Sequence, residues 1–488
     1  MIKKVTVAII GGGLLGCFVA RNLRRYKIDV AVIEKNSDVC AEISRANTSI
    51  IYSGYDNKPG SLKASMSVSA NRDFDRLCKE LSVPYKCCGS LMTAAGPRGE
   101  EVLQKKMAQG KENGVSGLRL LSASEARTLE PELSHSVTKA LYSQATGTVN
   151  PWELGLAALE NALDNGAELF LETEVTSISA EDDGYLLQTN KGSLFARSVV
   201  NCAGLFTDKI SEMVAPPYFK ILPTRGDYII LDTKAQDTIQ HIIFLEPEES
   251  GKGATLVPTV DGNIMLGPSE EDLEGEADFG VTSEGLSFVQ RSSKEIVPRI
   301  PLEQTIRSFA TLRPNPYWAE VDAQGNLQVS KRSINDFFIG SPEGHPFFIN
   351  VPGVKTPGLT CSNEIGRYVT ELLVERLGDV KTNPDFDPQR VAQTRFSRMS
   401  AEERKELHGS QCIVCRCKEV TEEEIRNSIK RTAGAKTLDG VKRRTGAQMG
   451  RCQGGFCTQR IVEILAEEQG VSISDIRKDR EGSYLISK

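Results

Sequence analysis

The chain opens on a motif that leaves few folds available. Residues Val5 to Ile10 read V-T-V-A-I-I, an apolar, β-rich run of the length of a buried parallel strand, and G-G-G-L-L-G follows at once, leading into the helix-compatible C-F-V-A-R-N-L. Such a motif needs Gly11 for the tight turn, Gly13 so that backbone can approach a pyrophosphate, and Gly16 so that helix and strand pack closely. The amides at the helix N-terminus then face an anion. A second apolar run, I-D-V-A-V-I, ends in Glu34, 18 residues beyond Gly16, where a carboxylate accepts hydrogen bonds from an adenosine ribose. Glycines alone would leave an ordinary strand–helix turn open. With strand, helix and acid in register, they predict a dinucleotide-binding α/β domain.

At 488 residues the chain exceeds one ordinary core, so two or three domains are expected. With 39% hydrophobic and 25% charged residues it falls among globular proteins, which excludes wholesale disorder and fibrous classes. The apolar stretch Val5 to Ala20 is broken by three consecutive glycines and ends at Arg21, so it fits neither a spanning helix nor a cleavable signal. A cytoplasmic location without a direct membrane span is expected, with peripheral attachment through a partner subunit left open. Of the net charge of −6, residues 401–488 contribute +3 and the first 400 therefore −9. An acidic body argues against a nucleic-acid role, and the local basic group Lys442, Arg443, Arg444 and Arg451 reads either as a solvated helix face or as a landing site for an acidic partner.

Further along, D-G-Y-L-L-Q-T-N and S-V-V-N-C-A-G-L-F-T-D suggest a late strand that returns beside the first and ends at Asn201-Cys202-Ala203-Gly204. Together with E-K at 34–35, S-R-A-N-T-S-I-I-Y-S-G-Y-D at 44–56, T-G-T-V-N-P at 146–151, T-R-G-D-Y at 224–228, L-R-P at 312–314 and V-P-G-V-K-T-P-G-L-T at 351–360, these residues resemble the FAD-dependent D-amino-acid oxidase and glycerol-3-phosphate dehydrogenase superfamily over roughly residues 5–375. The resemblance implies a Rossmann-like FAD-binding domain with an antiparallel-sheet substrate domain. It implies cofactor contacts from Gly11, Gly13, Gly16, Glu34, Ser44, Asn47, Val175, Ala203, Gly204, Asp208, Gly353, Gly358, Leu359 and Thr360. For a small anionic substrate, phosphate or carboxylate, it implies Arg313 and Lys355, with Arg225 a third candidate that could instead serve loop structure. The implied reaction is oxidation of sn-glycerol 3-phosphate to dihydroxyacetone phosphate by hydride transfer to flavin. The V-K-T-P-G-L-T loop also resembles the L-2-hydroxyglutarate branch, which keeps a 2-hydroxy acid as an alternative substrate; an amino acid, and a redox-sensing or electron-transfer scaffold that turns over no small substrate, are further alternatives. Two residues depart from the pattern: Ser49 stands where close relatives carry Gly, and Tyr52 where they carry His. Of the histidines His135, His241, His345 and His408, none lies in a recognisable catalytic motif, and His241 is the only one considered as a base.

Helices are expected over 60–82 and 151–165, the second with Pro in its first turn, and short strands over 221–232, 241–246, 254–258 and 263–267, with a hairpin turn at D-G-N, 261–263. The FAD domain would then comprise about 1–60, 145–215 and 335–385, and the substrate domain 61–144 and 216–334. A polar connector at 386–410 leads to a last domain, 411–488.

Five of 12 cysteines crowd into that domain: C-I-V-C-R-C at 412–417 and C-Q-G-G-F-C at 452–457. Thiolates in a cytosolic chain suggest a metal before a disulfide, and spacing alone leaves iron–sulfur and zinc open. C-x-C leading into V-T-E-E-E-I and a G-R-C-Q-G-G-F-C loop resembles the bacterioferritin-associated-ferredoxin-like [2Fe–2S] domain, a small helical unit. The resemblance implies Cys415, Cys417, Cys452 and Cys457 as ligands, Cys412 as a spare thiol, and electrons leaving the flavin through the cluster to an accepting protein subunit.

Overall fold

The structure, a computed structural model, describes residues 2–246, 253–273, 278–406 and 412–486. His408 and the end of the connector, 407–410, lie outside the described residues.

Strand Lys3–Ile10 forms the middle of a seven-stranded sheet, parallel to Val30–Ile33 on one side and to Gly192–Asn201 on the other. Phe348–Asn350 also runs parallel to Gly192–Asn201, while the hairpin Val175–Glu181 and Gly184–Thr189 pairs antiparallel with its first half. The continuous apolar run of the first strand is explained by burial on both faces. Val7 and Ile9 point into a cluster with helices Leu14–Leu23, Pro151–Asp164 and Gly358–Leu377, and Ala8 and Ile10 point into a second cluster with Ile178, Leu187 and Phe348.

Ten strands drawn from residues 90–143 and 219–333 build a second sheet. Its spine is the antiparallel pair Phe219–Leu231 and Thr305–Val321, in register from Phe219 opposite Trp318 to Ile230 opposite Arg307, with a shift of one residue before Leu231 pairs with Thr305. Ile264–Gly267, Thr255–Pro258 and Ile242–Leu245 follow outward, then Ser90–Ala94, Lys139–Ser143 and Leu118–Ser122. The turn at 261–263 closes with Gly262 at φ +81° and Thr259 N–H donating to the Asn263 carbonyl at 2.8 Å. One boundary differs from the sequence expectation. Helix Leu62–Glu80, assigned above to the substrate region, buries Met66, Phe74, Leu77 and Cys78 in the same cluster as the first strand and helix, because its apolar face meets helix Gly358–Leu377.

The C-terminal unit pairs Ile413–Cys415 with Val420–Thr421 and packs helices Glu422–Lys430, Leu438–Thr445 and Thr458–Gln469 around Ile425, Val441, Ile461 and Leu465. It is tied to the body by buried charges. Glu160 accepts from Arg390 at 2.6 Å and from Arg431 at 2.9 and 2.8 Å, and Asp38 accepts from Arg443 and Arg444 at 2.7–3.0 Å. Burial alone would raise the Asp38 carboxyl, but the two guanidiniums hold it at about 2. Neither reading of the basic group therefore describes Arg443 and Arg444: both are occupied inside the molecule, and Arg451 pairs with Asp232. The connector is likewise a fastened strap. Asn161 and Asn165 donate to its carbonyls at Asp387 and Gln389, and Arg395 and Arg398 reach Glu153. Among the described residues no helix is long and apolar enough to cross a membrane.

A β-carbon on Gly16 would stand 2.0 Å from the Gly11 carbonyl oxygen, backbone that cannot swing aside. Gly16→Ala is expected to lower the stability by about 1–3 kcal/mol, read as a shift in the urea midpoint.

Candidate functional site

At the C-terminal ends of the parallel strands a cavity of about 1210 Å³ opens between the two sheets. Its nucleotide half begins at Gly11, whose φ of +105° makes the turn, and at Gly13, which precedes the first helix; both line the cavity, while Gly16 lies behind as the packing contact. Glu34 is buried at the rim. Its Oε2 accepts from Gly12 N–H at 2.7 Å and its Oε1 from Asn36 at 2.8 Å, and burial raises its carboxyl pKa. Ser44 Oγ accepts from Leu14 N–H at 2.9 Å, and Asn47 holds the next turn by donating to the Ser44 carbonyl at 3.0 Å. Ser44, Asn47, Val175, Ala203, Gly204, Gly358 and Leu359 all line the same space. The side-chain-free turn at the N-terminus of the first helix fits a pyrophosphate, and the cavity's length beyond it leaves room for the remainder of FAD.

Three expected contacts stand elsewhere. Asp208 accepts from the N–H groups of Lys209 and Ile221, and so anchors the start of the strand Phe219–Leu231 behind the cavity wall. Gly353, at φ +60°, packs against Pro316, where a β-carbon would come within 2.4 Å. Thr360 Oγ1 accepts from Tyr52 N–H at 3.0 Å, fastening the chain just after the short strand Ile50–Ile51 to helix Gly358–Leu377. These residues shape the cavity without lining it.

In the substrate half, residues 311–315 of Thr305–Val321 line the cavity, Thr311, Arg313 and Asn315 supplying its polar side chains. Arg313 pairs with Glu270 at 3.0 Å, and Lys355 Nζ donates to Asn315 Oδ1 at 2.5 Å, so one strand brings the two expected cations to a common wall. Arg225 is absent from that wall. Its guanidinium donates to Glu271, Asp278 and the Gly280 carbonyl, which gives it the loop-holding role. Position 52 also departs chemically: the half-buried Tyr52 phenol, stacked on Phe244, is pushed up to about 12 by desolvation, so it is protonated at neutral pH and can donate a hydrogen bond instead of taking a proton. His241 is bound by Glu130 at 2.7 Å outside the cavity, and neither His135 nor His345 lines it. Sequence reasoning missed Tyr228, Glu270 and Asn315, which surround the two cations; the odd-number spacing of 311, 313 and 315 along a strand was the available signal.

In the C-terminal unit the thiols stand as two pairs. Cys417 and Cys452 are exposed with sulfurs 3.6 Å apart, and Cys415 meets Cys457 in the core. The Cys457 thiol, then the backbone N–H groups of Gln448, Lys418 and Cys417, hold Cys415 down to about 6, and N–H groups of Phe456 and Gly454 point at Cys452. Cys412 belongs to neither pair. Four thiolates on two loops, with amides aimed at sulfur, fit an all-cysteine [2Fe–2S] centre.

Residues 6–372 match the model of the FAD dependent oxidoreductase family, and residues 413–467 match the BFD-like [2Fe-2S] binding domain. The chain is 41% identical over 485 residues to a glycerol 3-phosphate dehydrogenase of Caloramator mitchellensis, covering 99% of this chain and 98% of that one. It is 25% identical to the anaerobic glycerol-3-phosphate dehydrogenase subunit A1 of Haloferax volcanii, covering 98% and 86%. Among solved structures, dithionite-reduced L-α-glycerophosphate oxidase from Mycoplasma pneumoniae with FAD bound superposes with a TM-score of 0.73 at 25% identity, covering 80% of this chain and all of that one. The chain therefore belongs to the FAD-dependent oxidoreductase family, with FAD in its α/β domain and a [2Fe–2S] cluster in its C-terminal domain.

Proposed function

We propose that this oxidoreductase oxidises sn-glycerol 3-phosphate to dihydroxyacetone phosphate and passes the electrons through its cluster to a separate acceptor protein. The observation that carries the substrate reading is the meeting of Arg313 and Lys355 on one cavity wall, each held by a neighbour, Glu270 and Asn315, on which it can pivot toward a ligand. A phosphate placed there receives charge-assisted hydrogen bonds from both cations. Kinship with glycerol 3-phosphate dehydrogenases supports phosphate over carboxylate.

When bound, FAD supplies the two-electron oxidation of the carbon bearing the hydroxyl, and the [2Fe–2S] centre supplies a one-electron outlet. The protein's own part is placement. Arg313 and Lys355 fix the anionic end, Tyr228 hydrogen-bonds Arg313 from the opposite strand, and half-buried Tyr52 offers a phenolic O–H. Cys417 and Cys452 are exposed, as is Phe456 beside them with the Arg416 guanidinium over its ring at 4.4 Å, so a docked acceptor can come close to the cluster ligands.

Anaerobic titration of the purified protein with sn-glycerol 3-phosphate, L-2-hydroxyglutarate and a panel of amino acids is the direct test. Bleaching of the flavin's visible band by the first alone is expected, and bleaching only by one of the others would replace the substrate. Arg313→Ala should cost about 2–5 kcal/mol in kcat/KM, well above the value of an exposed ion pair, with Lys355→Met acting in the same direction. Unchanged kinetics in both would move the anion site elsewhere.

Iron and acid-labile sulfide should each approach about two per chain. Turnover should be slow with oxygen and fast with an artificial one-electron acceptor or the native partner. Cys417→Ser in the full chain is the appropriate probe of the relay, because removing the C-terminal domain would strip buried Asp38 of Arg443 and Arg444, and Glu160 of Arg431. It should abolish partner-linked turnover while substrate still bleaches the flavin; partner turnover at the parent rate would take the cluster off the electron path.

A further inference from the structure

The loop after strand Val30–Ile33 carries Glu34 and then folds back over the glycine turn. Cys40 N–H donates to the Gly12 carbonyl at 2.9 Å, Val39 packs against Gly12, and Ser44 receives the Leu14 amide. Glu34, Lys35, Asn36 and residues 41–44 line the cavity at its nucleotide end. This loop is therefore one wall of the FAD site.

The opposite side of the same loop belongs to the C-terminal domain. Asp38 is 3% exposed. Its Oδ2 accepts from Arg443 Nε at 3.0 Å, Arg443 Nη2 at 2.8 Å and Arg444 Nη1 at 2.7 Å, and its Oδ1 accepts from Arg444 Nη2 and its own neighbour Val39 N–H, both at 2.9 Å. Asp479 closes the group. It accepts from Arg443 at 3.0 Å and from Arg45 at 3.0 Å, while its carbonyl accepts from the Ser37 hydroxyl at 2.5 Å. The loop is thus held from behind at Ser37, Asp38 and Arg45, on either side of the residues that face the cavity. Both arginines sit on helix Leu438–Thr445, which ends at Gly446 in the left-handed region, and two residues later Gln448 directs its backbone N–H to the thiols of Cys415 and Cys457. One short helix spans from the FAD wall to the cluster ligands.

We propose that Asp38 is a positioning residue for FAD: through Arg443 and Arg444 the C-terminal domain clamps the nucleotide loop, so that retention of FAD in the α/β domain depends on the [2Fe–2S] domain. A loop on its own surrenders conformational entropy each time it closes on a ligand; a loop already pinned by buried charge has surrendered it in folding. The clamp rests on the FAD site alone and is independent of which substrate is oxidised.

The test compares full-length holoproteins carrying Asp38→Asn or Glu160→Gln by the rate at which flavin fluorescence rises on dilution, when FAD is released. Glu160 forms a second buried ion pair between body and C-terminal domain, to Arg431, and one to Arg390 of the connector, but is absent from the cavity wall. Asp38→Asn should release FAD about 10-fold faster or more, as loss of a buried ion-pair partner predicts, with Glu160→Gln within about twofold of the parent. Equal acceleration in both variants would reduce the effect to general loosening of the interface and overturn the clamp, as would an unchanged rate in Asp38→Asn. If Asp38→Asn does not fold, Arg444→Gln, which removes one arm and leaves Arg443 in place, decides the matter: faster release supports the clamp, and release at the parent rate overturns it.

Discussion

The carbonyl oxygen of Gly11 lies 2.0 Å from where a β-carbon on Gly16 would stand, so the first helix meets the first strand at a distance open only to residues without side chains. From that approach follow the direction of the helix amides, the space in front of Gly13, and the position of Glu34 beside Gly12. The rest of the α/β domain serves to keep it. Strand Gly192–Asn201 flanks the first strand in parallel and delivers Ala203 and Gly204 to the same end, and helix Gly358–Leu377 packs against Leu14–Leu23 from behind.

The second constraint is electrostatic. Asp38 and Glu160 are buried carboxylates, and each is made tolerable by two arginines from later in the chain. Such groups add little net stability over apolar packing of the same shape, but an unpaired carboxylate in either place would be costly, so they fix which docking of the C-terminal domain is allowed. The consequence is a protein whose two cofactor domains are joined by matched charge and by a strap with its backbone carbonyls satisfied, instead of by a free linker. That arrangement keeps Cys417, Cys452 and Phe456 on the outside, where a partner can reach them.

Much of this was legible in the residues. The run V-T-V-A-I-I with its glycines announces strand and turn because a parallel strand buried on both faces must be apolar throughout, and Pro151 announces a helix start because its missing N–H costs nothing there. Helix Leu62–Glu80 was legible as a helix but not as part of the nucleotide half, because periodicity identifies an apolar face and not the element that will cover it. Arg225, Asp208 and Thr360 occupy motif positions yet face the structure behind the cavity, since a strand or helix turns adjacent residues to different sides. Lys442–Arg444, read as a solvated or docking group, includes two arginines whose partner Asp38 lies some four hundred residues earlier, at a separation no local pattern can reveal.

Local rules therefore determined the elements, the glycine turn and the paired cysteine motifs, because each depends on backbone sterics or donor chemistry within a few residues, whereas Arg313 and Lys355 were indicated only by the resemblance of their motifs to a family. Tertiary structure alone decided which charges are spent inside: Arg313 and Lys355 share a wall because Asn315, two residues along the strand of Arg313, takes the Lys355 ammonium, and Arg443 and Arg444 are withdrawn from solvent because a carboxylate from the nucleotide loop is buried against them. Burial and pairing are properties of the closed chain, and a charge has no fixed role until the fold has chosen its neighbour.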